Sequence, residues 1–195
     1  MPQLARMAFT LACLQRCEPI LRRAVSEVPA RAAALPAIAA AFETAWAPPF
    51  PGDPAAAAAA AGELARFEPA DVDDPVNDGD SSYLVCVGDL GQYLQGVAVP
   101  VPDLFHRAIC EVVAAMLDSW FVWSVHRHGG TVDRDVSPCN SGVLLERATQ
   151  LRHLEWLETR PLDDALVERI RASSVRRGAE YVEIIDEWWA GPVVA

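Results

Sequence analysis

Ser81-Ser82-Tyr83-Leu84-Val85-Cys86-Val87-Gly88-Asp89-Leu90-Gly91-Gln92-Tyr93-Leu94-Gln95-Gly96-Val97 decides the fold class of this chain. Tyr83, Val87, Leu90, Leu94 and Val97 recur at steps of four, three, four and three. That spacing lays a stripe along one face of a helix, whereas a strand requires alternation.

The same beat continues on both sides. Downstream, Pro102 and Asp103 suit a first helical turn, and an apolar run follows. Leu104, Phe105, Ala108, Ile109, Val112, Val113, Met116, Trp120 and Trp123 make a band too wide for a surface helix. Leu104 to Val125 is therefore expected to be the most buried element. It ends in the polar, glycine-rich turn H-R-H-G-G from His126. Ser137-Pro138 reads as a cap followed by proline. The helix it opens has Val143, Leu144, Ala148, Leu151, Leu154 and Leu157 as its apolar positions, and Pro161 stops it. A last helix runs from about Asp163 to Trp189, with Gly178 inside it.

Upstream, a helix from about Pro2 to Glu27 carries Leu4, Met7, Leu11 and Leu14, then Ile20, Leu21 and Val25, with Pro19 in its course. Leu35 to Trp46 and an alanine-rich helix opened by Asp53-Pro54 complete the set. Residues 68 to 80, E-P-A-D-V-D-D-P-V-N-D-G-D, read as an acidic loop. The expectation is a single all-α domain over residues 1 to 195, a compact bundle-like array of about seven helices. Short loops make most neighbours antiparallel.

At 195 residues the chain is long enough to bury about 70% of its extended surface in one core. Hydrophobic residues are 52% and charged residues 22%, which argues against disorder. The net charge of -11 comes from 27 acids against 16 arginines, with no lysine. Such a balance disfavours nucleic acid and anionic membranes and favours a basic protein partner. Arg6, Gln15 and Arg16 interrupt the first apolar run, and Glu111 and Asp118 interrupt the longest one, so neither a targeting segment nor a membrane span is expected. A cytoplasmic location is the resulting expectation. Five cysteines, an odd number in a chain of this size, argue against a disulfide framework. Cys13 and Cys17 share a helix face, and buried small-hydrophobe roles suit most of the five.

No chemical signature is complete. His126 and His128, with Cys139 and His153, are the candidate metal ligands, and they support an alternative reading as a metal-binding protein or metal-dependent enzyme. Against it, no H-E-x-x-H or paired C-x-x-C occurs. Glu111, Glu146 and Glu180 lack the third-position histidine of a di-iron bundle and read as packing or surface acids. The acidic loop fails the calcium register, because Val76 and Val85 fall where acids are required. Cys139 near a helix start could be a nucleophile with a histidine base, but no local motif surrounds it. The glycines from Gly88 to Gly96 do not follow a strand at dinucleotide-binding intervals. No cofactor is implied, and an enzyme is the less favoured reading.

The leading expectation is a protein-protein interaction module of immunity or regulatory type. One contact region is the acidic arc with Asp71, Asp73, Asp74, Asp78 and Asp80. The other is the C-terminal end with Arg176, Arg177, Trp188 and Trp189, since adjacent helical tryptophans cannot share one core point. A basic toxin would be steered by the acidic surface. A second copy of the chain is another candidate partner.

Several segments together are similar to a bacterial family of small all-helical proteins catalogued as domain of unknown function 416. They are M-A-F-T-L-A-C-L-Q-R-C-E-P from Met7, L-P-A-I-A-A-A-F-E-T-A-W from Leu35, E-L-A-R-F-E-P-A-D-V-D-D from Glu63 and L-R-H-L-E-W-L-E from Leu151. The resemblance spans about residues 7 to 187. Gly79 to Val87 and the His126 to Gly130 turn depart from the family pattern. The resemblance implies a helical cytoplasmic protein and carries no activity or catalytic residue with it.

Overall fold

The computed structural model describes residues 1–25, 29–68, 83–99, 102–131 and 140–191. Among these residues the chain forms seven α-helices and no strand, as the periodicity predicts. They are α1 Gln3–Ala24, α2 Leu35–Ala45, α3 Pro54–Ala65, α4 Leu90–Ala98, α5 Asp103–Arg127, α6 Ser141–Thr159 and α7 Asp164–Ala190. A 3₁₀ stretch, Pro29–Ala34, leads into α2, and a wider π turn, Val85–Asp89, leads into α4. Tyr83, Val87, Leu90 and Leu94 are all buried, so the stripe that decides the fold class does face inward.

Local chemistry fixes the helix starts. Asp53 accepts from the Ala56 amide at 2.9 Å, with Pro54 in the first turn of α3. Asp163 caps α7 through the Leu166 amide at 2.8 Å. The start of α6 differs from expectation. Asn140 caps it, accepting from the Val143 amide at 2.9 Å, so Ser137-Pro138 precedes the helix and lies outside the described residues.

Two expectations about the core are corrected. The most buried element is α1 and not the segment from Leu104 to Val125. Fifteen of the 22 residues in α1 are buried, including every residue from Met7 to Cys17, against ten of 25 in α5. From Met7 to Cys17 burial extends right round the helix, and a stripe reports one face without telling how far round burial goes, so periodicity cannot rank α1 first. Leu4 and Leu104, placed in apolar stripes by their spacing, are exposed.

The second correction concerns α6. Its buried face is Gly142, Val143, Glu146, Thr149, His153 and Leu157, while Leu144, Ala148 and Leu151 face outward. Glu146 lies two residues from both Leu144 and Ala148. At about 100° per residue, that puts the acid and those apolar residues on nearly opposite sides.

Helix direction follows from the pairs that touch. Arg6 meets Asp103 and Thr10 meets His106, so α1 and α5 run parallel. Gly178 lies against Pro19 and Asp186 pairs with Arg23, so α1 and α7 are also parallel. Glu146 against Tyr181 and His153 against Ser173 make α6 antiparallel to α7. The short-loop argument thus works for chain neighbours α6 and α7. No short loop sets the direction of α1, whose most extensive packing is with α7, about 160 residues on. At Gly178 an added Cβ would fall 2.8 Å from Pro19 Cγ and 3.0 Å from the Arg16 carbonyl oxygen, so glycine lets the two helices approach.

By length and composition α5 is apolar enough to cross a membrane. Counting uninterrupted apolar runs does not register it, because Glu111 and Asp118 break the run. Here it packs against α1, α6 and α7 as a core helix.

Candidate functional site

An ion pair closes the centre of the bundle. Arg16 of α1 and Glu146 of α6 are both fully buried. Arg16 Nε donates to Glu146 Oε2 at 2.8 Å, and Nη2 donates to Oε1 at 2.6 Å. This is the two-pronged geometry in which a guanidinium matches a carboxylate. Burial opposes the charge on Arg16, but the adjacent carboxylate outweighs it and holds the guanidinium protonated. Tyr181 Oη donates to Glu146 Oε2 at 2.6 Å, and Gln150 Nε2 donates to Oε1 at 2.7 Å. Burial, then the neighbouring carboxylate, raise the Tyr181 phenol. The remaining Arg16 donors reach the Ala12 carbonyl at 2.9 Å and Cys13 Sγ at 3.3 Å.

His153 extends the network. Its Nε2 lies 3.0 Å from Ser173 Oγ, and its Nδ1 lies 3.5 Å from Arg16 Nη1. Burial, followed by the charge of Arg16, pushes its pKa down to about 3, so the ring is neutral at neutral pH. Each named polar group in this clasp has a partner, and none of its residues lines a described cavity. It joins α1, α6 and α7 as a structural lock.

Beside the clasp, a cleft of about 340 Å³ opens between the first turns of α1 and α5 and the second half of α6. Met1, Arg6, Phe9, Thr10, Asp103, His106, Arg107, Cys110 and Leu154 line it. Thr10 Oγ1 and His106 Nδ1 are 2.7 Å apart. Burial and the Arg6 charge lower the His106 pKa. Cys110 Sγ donates to the His106 carbonyl at 3.0 Å, and Cys13 stands one turn beyond Thr10 on the facing helix α1.

The sequence-derived site residues disperse. His126 and His128 are exposed at the end of α5, His126 Nδ1 lying 3.3 Å from the Gly130 carbonyl oxygen. His153 is buried in the clasp, and Cys139 lies outside the described residues. Among the described residues no group of three histidine, cysteine or acidic side chains is arranged to hold a metal. Asp71, Asp73, Asp74, Asp78 and Asp80 also lie outside the described residues.

At the C-terminal end Trp188 is buried, with Phe121 at 5.3 Å between ring centroids. Trp189 is half-buried, 5.5 Å from Trp120 and 5.7 Å from Trp123, with the Arg127 guanidinium 4.4 Å over its ring. The adjacent tryptophans split between core and rim. Arg177 is ion-paired with Glu180, and Arg176 is exposed.

Sequence reading missed Arg16, Glu146 and His106. Arg16 looked like an interruption of an apolar run, and Glu146 like a surface or packing acid. The available signal was a pair of adjacent long polar residues, Gln15 and Arg16, inside the mostly apolar stretch from Met7 to Cys17. Both are buried and both find partners, Gln15 Oε1 accepting from Trp46 Nε1 at 2.9 Å. No family model, no curated protein and no solved structure matches the chain.

Proposed function

We propose that the chain is a protein-binding module whose contact face is the outer surface of α5 and α6. The observation that carries this reading is an exposed apolar row on α5 beside the α6 leucines that the polar clasp turns outward. Leu104 is 76% exposed, Leu151 68% and Leu144 52%, and Ala108, Ala115 and Ala148 are exposed on the same two helices. On α5, residues 104, 108 and 115 share one side; on α6, residues 144, 148 and 151 do. Isolated exposed leucines are ordinary, but a row of them on two packed helices is the usual mark of a contact surface. Glu111 and Arg147 line a shallow depression between the helices and supply polar points within the face.

The net charge of -11 favours a basic partner, steered by long-range attraction and held by apolar contact. An immunity-type protein that neutralises a basic toxin is one form of this activity. The test is affinity capture from the native host with wild type and with a Leu104→Glu/Leu151→Glu variant. The expected result is one reproducible partner that binds the variant at least roughly tenfold more weakly while thermal unfolding is unchanged. Equal capture by both proteins, or no reproducible partner, would refute the reading.

A further inference from the structure

We infer that Cys110 and Cys13 form an oxidisable dithiol site that reacts with a hydroperoxide entering the cleft at the start of α5. Cys110 is half-buried and lines that cleft, whereas Cys13 is fully buried behind it on α1. Both are free thiols, and they lie one helical turn beyond the facing pair Thr10 and His106 on the parallel helices α1 and α5. Facing positions on packed helices suit a disulfide. At an axis separation of about 8–10 Å and a Cα radius of about 2.3 Å, opposed Cα atoms can fall within the roughly 4.4–6.8 Å that the bond requires.

The two sulfurs are not equivalent. The neighbouring Cys13 lowers the Cys110 pKa against the opposing effect of burial, while Cys110 and burial raise that of Cys13. Cys110, half-buried but open to the cleft, is therefore the more readily formed thiolate and the nucleophile. Its proton leaves through the cleft. The Cys110 thiolate attacks the peroxide O–O bond, forming a sulfenic acid and releasing hydroxide or alkoxide, which is protonated to water or alcohol. The Cys13 thiol then attacks the Cys110 sulfur. An S–S bond forms, the S–O bond breaks, and the hydroxyl leaves with the thiol proton as water. Two thiols lose two electrons in total, and the peroxide gains them.

Cys17 and Cys86 lack such access. Both are fully buried, and burial raises their pKa. Arg16 Nη2, 3.3 Å from Cys13 Sγ, ties the dithiol to the clasp, so the new bond would staple α1 to α5 at the lock.

The experiment exposes the folded wild-type chain to one equivalent of hydrogen peroxide, blocks remaining thiols by alkylation, and maps peptides by mass. The expected product is a Cys13–Cys110 linked peptide lighter by two hydrogens, with Cys17, Cys86 and Cys139 alkylated. Thermal unfolding should move upward and return on reduction. A Cys13→Ala variant should instead carry a trappable sulfenic acid at Cys110. If that variant does not fold, the wild-type peptide map alone decides. Preferential oxidation at Cys139, chain-to-chain disulfides, or Cys110 alkylated like the buried thiols would overturn the inference.

Discussion

Replacing Glu146 by alanine tests the clasp. The substitution removes the acceptor of two Arg16 N–H groups and of Tyr181 Oη, and takes one of the two acceptors from Gln150, whose other is the Cys110 carbonyl. It leaves a guanidinium with no exposed surface and no counter-charge. Breaking a buried pair on one side costs about 3–5 kcal/mol, a large part of the roughly 5–15 kcal/mol that holds a domain of this kind folded. Removing both charges has a different outcome. Arg16→Met/Glu146→Leu deletes the two desolvated ions together, and its cost should fall well below that of the single change, because apolar replacement of a buried pair is commonly neutral or better. Urea unfolding followed by circular dichroism on wild type, both single variants and the double variant gives the coupling energy directly. A loss below about 1 kcal/mol for Glu146→Ala, or a double variant as unstable as the sum of the singles, would mean that the buried pair is not coupled in this way.

Gly178→Ala should destabilise the fold by about 1–3 kcal/mol in the same assay. The clash with Pro19 and the Arg16 carbonyl outweighs the roughly 0.5–1 kcal/mol gained in helix propensity. Acid should unfold the chain partly through His153, because its folded pKa is depressed to about 3 and the unfolded ring titrates near about 6.5. The unfolded state thus binds the extra proton in that window, so stability falls as pH drops, by up to about 1.4 kcal/mol per unit. The difference between wild type and His153→Asn across pH 7 to 4 isolates this slope from Asp89, whose raised pKa of about 6 acts with the opposite sign. Tyr93→Phe should be neutral or stabilising by up to about 1 kcal/mol on urea unfolding. Its fully buried hydroxyl has no hydrogen-bond partner among the described residues, so removing it sheds a desolvated polar group.

Helix existence was legible because it depends on period alone. The Tyr83 stripe, the Asp53-Pro54 start and the stop at Pro161 could all be read without tertiary information. Helix phase was not legible where the inward face is polar. Reading the α6 leucines as core is sound for an isolated amphipathic helix. It fails here because Arg16, fixed inside α1, needs Glu146 in front of it, and turning that acid inward turns Leu144 and Leu151 out. Burial rank was hidden for a related reason: Thr10, Gln15 and Arg16 are polar in sequence yet buried, so the spacing of apolar residues understates how far round α1 burial extends. Thr10 faces His106 in the cleft and Cys13 stands behind Cys110, and only the parallel packing of two distant helices creates those pairs.

The polar side of α6 faces the core and its leucines face outward, so the unfolding free energy of Leu144→Glu/Leu151→Glu should lie within about 0.5 kcal/mol of wild type, as for other surface changes. A loss of about 2 kcal/mol or more per site, the cost of disrupting buried leucines, would contradict it.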